Sequence, residues 1–161
     1  MNIKQIISDT CAKSGVPHLT ESILYTFSRR FTRRLGEATY HRHNRSAMIK
    51  FSLPLWDRAT EQQRHNVIVH ETCHVVAFHK ANLSTITIRP HGPEWAREMR
   101  VNGLEPERCH TVDRTGLARR LPTVTVSCGC RTHQLTTNRV TRMRKGQKYQ
   151  CRLCLGPIVL V

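Results

Sequence analysis

The chain has 161 residues, with 26 Lys and Arg against 11 Asp and Glu, a formal net charge of +15 and a hydrophobic fraction of 39%. That length suits one domain of ordinary size plus a small appendage. No apolar stretch is long enough to cross a bilayer, and the start, where Ile3, Ile6 and Ile7 are scattered ahead of polar Ser8-Asp9-Thr10, does not read as an export signal. A cytoplasmic location is expected, nucleoid-associated in a bacterium or nuclear in a eukaryote.

Residues 1–15 read as a short amphipathic helix. From Thr20 to Leu35, Ile23, Leu24, Phe27 and Phe31 fall at helical spacing, and Arg29, Arg30, Arg33 and Arg34 cluster toward the end, where cations suit a helix dipole; an amphipathic helix is predicted. Glu37–Arg42 and Ala47–Leu53 read as two strands of a hairpin around His43-Asn44-Arg45-Ser46, closed by Pro54. The expected fold class is α+β, with helices and a small antiparallel sheet.

A long helix is predicted next. Thr60 and Gln63 have the spacing of a capping box, Val67, Ile68, Val69, Val75, Val76 and Phe78 make the segment apolar enough to be buried, and Asn82 is a plausible end. Inside it lies His70-Glu71-Thr72-Cys73-His74. Residues four apart share a helix face, so His70 and His74 can offer two imidazole nitrogens to one ion while Glu71 stands beside it as a base. From this chain's own composition, about 0.03 such matches are expected by chance. Cys73, three residues from His70, faces off the metal axis and is expected to be a packing residue.

An open catalytic zinc site needs a third protein ligand. The compact metalloprotease pattern would place a histidine six residues after His74 and a glycine three after it; those positions are Lys80 and Ala77, which excludes that subclass. Two candidates remain, His91 in Arg89-Pro90-His91-Gly92-Pro93-Glu94-Trp95 and Glu94 itself, and spacing does not choose between them. Gly92-Pro93 reads as a turn and helix start, with Trp95 and Met99 on its inner face and Gly103 at its end. Ile86-Thr87-Ile88 forms a β-prone insert before it.

Thr111–Pro122 is the best linker to a second constellation. Cys128-Gly129-Cys130 with His133, followed by Cys151 and Cys154, has the paired spacing of a closed tetrahedral structural zinc site, four of these five residues being ligands. Cys11 and Cys109 have no obvious partner, which suits a reducing compartment. Residues 1–113 carry 16 basic and 11 acidic side chains, whereas residues 114–161 carry 10 basic and none acidic. Arg139, Arg142, Arg144, Lys145 and Lys148 are placed on a loop between the cysteine pairs beside Tyr149, a face on which a base could stack; a nucleic acid is the natural partner. His18, His41, His43, His65, His79, His110 and Tyr25 have no partner readable in the sequence.

The run Arg34-Leu35-Gly36-Glu37-Ala38-Thr39-Tyr40, then Ile49-Lys50-Phe51-Ser52-Leu53-Pro54-Leu55-Trp56, then His70-Glu71-Thr72-Cys73-His74, then His91-Gly92-Pro93-Glu94-Trp95 and the closing Cys/His set together resemble the SprT family over nearly the whole chain. The resemblance implies a zincin-like metalloprotease domain over residues 1–113, a linker over 114–122 and a zinc ribbon over 123–161. It makes His91 the third ligand of a catalytic zinc, beside one structural zinc. It further implies hydrolysis of peptide bonds with Glu71 as general base, and a DNA-dependent protease acting on proteins crosslinked to DNA, the DNA single-stranded or junction-containing and the chain taken as a monomer. Two other readings stand beside it: a nonenzymatic nucleic-acid-binding regulator or adaptor built on a degenerate protease domain, and a metal-dependent hydrolase of small molecules.

Overall fold

Asn2 starts the first helix, α1 (Ile3–Lys13), by accepting the Gln5 N–H on its side chain, and the helix buries Ile7, Thr10 and Cys11. The computed structural model describes residues 1–84, 86–109, 111–117 and 121–160. They form two compact units, Met1–Ala118 and Arg119–Val161.

After a 3-10 turn over Pro17–Ser22 the chain does not continue as a helix. Residues Ile23–Ser28 are a strand, β1, and Arg29, Arg30, Arg33 and Arg34 lie in the irregular stretch behind it. The helical spacing of Ile23, Leu24, Phe27 and Phe31 competed with a period of two in Ile23, Tyr25 and Phe27, and β-branched and aromatic side chains suit a pleated surface. Those three rank against Ala47, Ile49 and Phe51 in register, and Phe27 packs on Phe51 and Trp56. β2 (Gly36–His41) and β3 (Ser46–Ser52) form the antiparallel hairpin that the sequence predicts. The sheet is nonetheless mixed, not antiparallel: its order is β1-β3-β2, with β1 parallel to β3, because the segment read as a helix supplies the third strand.

Ser52 caps the short helix α2 (Leu53–Trp56). The long helix α3 (Glu61–Leu83) opens with the expected capping box, Thr60 Oγ1 accepting the Gln63 N–H while Gln63 Oε1 accepts the Thr60 N–H. One side of α3 buries Ile68, Val75 and Val76 with Ile7, Leu19, Leu35, Ile49, Phe51 and Leu55; its other side buries Val69, Cys73 and Ala77 against Trp95 and Met99 of α4 (Pro93–Val101). Apolar on both sides, α3 is the central beam of the unit. Truncating a side chain as enclosed as Phe51 to Ala would cost about 3–5 kcal/mol. Lys80 of α3 donates to the buried Glu98 of α4 at 2.9 Å, fixing the two helices to each other.

The β-prone insert Ile86-Thr87-Ile88 is irregular chain, not a strand; Ile88 packs on the α3–α4 cluster and no neighbouring strand edge pairs with it among the described residues. The stretch expected as linker is partly held to the first unit. Val112 is in the core, Thr111 accepts from Gln63, Arg58 donates to the Thr115 carbonyl at 2.7 Å, and Leu117 packs on the core.

In the second unit β4 (Thr123–Ser127) pairs with β5 (Thr132–Thr136) on one side and with β6 (Val159–Leu160) on the other. Its buried core is small: Val126, Leu135 and Val140. The segment expected as a basic loop begins with a helix, α5 (Thr137–Arg144), because Val140 and Met143, three apart, both meet the sheet. Gly146, with φ +92, turns the chain out of it.

Candidate metal centres

His70 and His74 lie one turn apart on α3, and His91 reaches them from the loop ahead of α4. Their Nε2 atoms form a triangle with sides of 3.2, 3.2 and 3.4 Å. A tetrahedral zinc with Zn–N bonds of about 2.0–2.1 Å separates its nitrogens by about 3.3–3.4 Å. Three neutral imidazoles cannot all donate to one another, so nitrogens converging at that distance suit a cation between them. The donor set therefore fits zinc with a fourth position open. Glu94, the other candidate for third ligand, sits in the first turn of α4 outside this group, and Cys73 is buried against Asn102, away from it.

The site's electrostatics follow from burial. His74 is pushed down to about 3, first by burial and then by its two neighbouring imidazoles, so it stays neutral and available as a ligand. His91 is lowered by burial and by Arg108. Glu71 is 6% exposed, and in the absence of a cation burial raises its carboxyl to about 8, opposed by the Ala38 N–H and by Arg34. A divalent ion beside it favours the carboxylate and reverses that shift. Arg34 in turn pairs with Glu37.

Strand β2 approaches Glu71 so closely that only glycine fits at position 36: a Cβ there would stand 2.7 Å from Glu71 Cγ and Oε1. Ala38, two residues on, supplies the N–H that meets the carboxylate. Trp95, read in the sequence only as an inner-face residue of α4, packs against all three imidazoles. Neither role is visible in local spacing; both depend on which elements the fold brings together. The three histidines and Glu71 open on a cleft of about 700 Å³, walled by β2 residues Gly36, Glu37 and Ala38 and by Glu105, Glu107 and Arg108.

In the second unit the sulfurs of Cys128, Cys130, Cys151 and Cys154 gather within 4.8 Å of one another. Cys130–Cys151 and Cys128–Cys154 are 3.8 Å apart, the separation that Zn–S bonds of about 2.3 Å give in a tetrahedron. His133, the fifth candidate, contacts only the Cys128 sulfur, at 3.1 Å, and its ring pulls that thiol well below the usual range. The donor set fits a four-thiolate zinc with His133 beside it. Arg139, Arg142, Arg144, Lys145 and Lys148 are all exposed, the first three on α5 and the others on the turn after it, while Tyr149 is half-buried. Of the residues without a readable partner, His79 shares a hydrogen bond between its Nδ1 and the Tyr40 hydroxyl (3.1 Å) and packs near His18, Tyr25 packs on Phe51, and His110 lies outside the described residues.

A model of the SprT-like family matches residues 4–113. The chain belongs to that family. Protein SprT of Pseudomonas aeruginosa is 33% identical over 153 residues, spanning 91% of this chain and 73% of its own. Protein SprT of Pseudomonas savastanoi is 33% identical and that of Pseudomonas fluorescens 31% identical, each over 122 residues that span 73% of this chain and 70% of theirs. The family match covers every element that builds the histidine site of this SprT-like chain, and the longer SprT alignment also takes in part of the cysteine unit.

Proposed function

We propose that this chain is a zinc-dependent endopeptidase of SprT type with a zincin-like catalytic domain, acting on proteins bound or crosslinked to DNA. The observation that carries the reading is the Nε2 triangle of His70, His74 and His91 with the buried carboxylate of Glu71, open to a cleft of about 700 Å³. Zinc, when bound, supplies a Lewis acid that polarises the scissile carbonyl and lowers the pKa of an attacking water toward ~7. His70, His74 and His91 hold the ion as neutral imidazoles. Glu71 takes the proton from the water on a carboxylate oxygen and delivers it to the departing amine nitrogen. The Ala38 N–H and the close wall of Gly36 confine the carboxylate. Cys128, Cys130, Cys151 and Cys154 close a structural zinc site, and His133 stays outside it as a hydrogen-bonding neighbour. The acid-free second unit, with Arg139, Arg142, Arg144, Lys145 and Lys148 on its surface, supports DNA, single-stranded or junction-containing, as the partner that brings substrate to the cleft.

The test compares cleavage of a DNA-bound protein, with and without single-stranded DNA, by the wild-type chain and by Glu71→Gln at equal zinc content. DNA-stimulated cleavage that falls by about 100-fold or more in Glu71→Gln is expected. Absence of cleavage by either protein, with DNA binding intact in both, would overturn the peptidase reading in favour of a nonenzymatic adaptor.

A further inference from the structure

The three ligand rings come from two separate pieces of backbone, and the terminal torsion of a histidine is a broad, soft well. Something must hold three imidazoles so that all three Nε2 atoms point at one place. The Trp95 ring stacks on His74 with centroids 5.4 Å apart and planes inclined by 19°. It meets His70 edge-on at 4.9 Å and 63°, and His91 at 4.8 Å and 90°. Its Nε1–H donates to the His70 carbonyl at 3.4 Å, tying the indole to the backbone of α3 as well as to the rings. Trp95 is 1% exposed and stands four residues after His91, so the first turn of α4 carries the platform and the loop just ahead of it the ligand that reaches over.

We propose that Trp95 is the positioning residue of the histidine site, a single rigid surface that sets the orientation of all three imidazoles and so the affinity of the site for its ion. The proposal rests on the reading of His70, His74 and His91 as a metal site. An indole has two side-chain torsions and is wedged here between helices, so it transmits the geometry of the α3–α4 packing directly to the ligand nitrogens. A leucine in its place would fill part of the volume but present no flat face to His74 and no edge partner to His70 or His91. Groups that orient metal ligands in this way are worth about 10–100-fold in metal affinity.

The experiment titrates the zinc-loaded full chain with a chelator and counts ions per chain by native mass spectrometry, the four-cysteine ion serving as an internal reference. Trp95→Leu is expected to release the histidine-site ion at about 10–100-fold lower chelator activity while the cysteine-bound ion is unmoved. Trp95→Phe, which keeps a smaller ring but loses the N–H, is expected to fall between, shifted by about 3-fold or more. Phe51→Leu is the control: it removes an equally buried ring from the other side of α3, touches none of the three ligands, and should lower thermal stability without loosening the ion. Retention by Trp95→Leu equal to wild type, or equal loosening in Phe51→Leu, would overturn the proposal. Should Trp95→Leu fail to fold, Trp95→Phe decides, and an unshifted release curve there overturns it. A wild-type chain that holds only the cysteine-bound ion would instead remove the metal reading of the histidines, and the proposal with it.

Discussion

The two candidate metal centres differ in what holds them. The histidine site sits on a unit that already has a core on both sides of α3, and its ligands are pressed between β2, α3 and Trp95. The cysteine site belongs to a unit whose buried hydrophobic cluster is Val126, Leu135 and Val140, and its sulfurs bring the β4–β5 turn within 3.8 Å of the Cys151–Cys154 knuckle. A segment of this size gains little from burial alone, so an ion bound there would contribute to folding, whereas on the proposed reading an ion in the first unit would act as a reagent on a fold with its own core.

The largest effect expected from that difference is on Cys151→Ala, or on full chelation. Residues 121–160 should lose their fixed structure while residues 1–117 keep theirs, as seen in amide proton–nitrogen NMR spectra; retention of dispersed signals from the second unit without metal would break the comparison. Within the first unit, Lys80→Met leaves Glu98, 1% exposed, with only the more distant Arg97 at 3.6 Å, and is expected to lower unfolding free energy by about 2–3 kcal/mol in denaturant titration without removing zinc. Gly36→Ala pushes a methyl onto the Glu71 side chain; a loss of about 1–2 kcal/mol is expected. Cleavage should fall further than that loss of stability explains, because the carboxylate is displaced.

A further difference lies in the pH response of the metal-free first unit. Glu71 has its folded-state carboxyl raised to about 8, so its contribution is complete below an ordinary carboxyl pKa near 4.5 and is lost as pH rises through 8. His74 has its folded-state imidazole lowered to about 3, so its contribution is complete above 6.5 and is lost as pH falls toward 3. The two oppose each other between 4.5 and 6.5. Chelated protein should therefore be most stable in that window, and Glu71→Gln should remove the decline on the alkaline side; an unchanged alkaline limb in thermal melts would show that Glu71 does not carry it.

What could be read from the sequence was local. The capping box of Thr60 and Gln63, the four-residue step from His70 to His74, the Gly92-Pro93 helix start and the β2–β3 hairpin are all set by neighbours within a few residues. β1 was not legible because Ile23–Phe27 satisfies both periods, and only the parallel partner β3, some twenty residues away, selects the strand. α5 was hidden by its charge: six of its eight residues are polar or basic, and Val140 and Met143 gain meaning only against β4 and β5. Sequence spacing admitted both His133 and Cys130 as ligands. The antiparallel turn at Cys128–Arg131 brings the Cys130 sulfur to those of Cys128 and Cys151 and leaves the imidazole on the strand beside the Cys128 sulfur.

The chain has two tryptophans, and they report on different places. Trp56 lies against Phe27 and Phe51 under the Arg64 guanidinium, whereas Trp95 is in ring contact with every histidine of the site. With Trp56 replaced by phenylalanine, the remaining indole emits from inside the ligand triangle's own support, where a paramagnetic ion such as cobalt would quench it. Occupancy of the centre could then be followed by light in dilute solution, in real time and without a label.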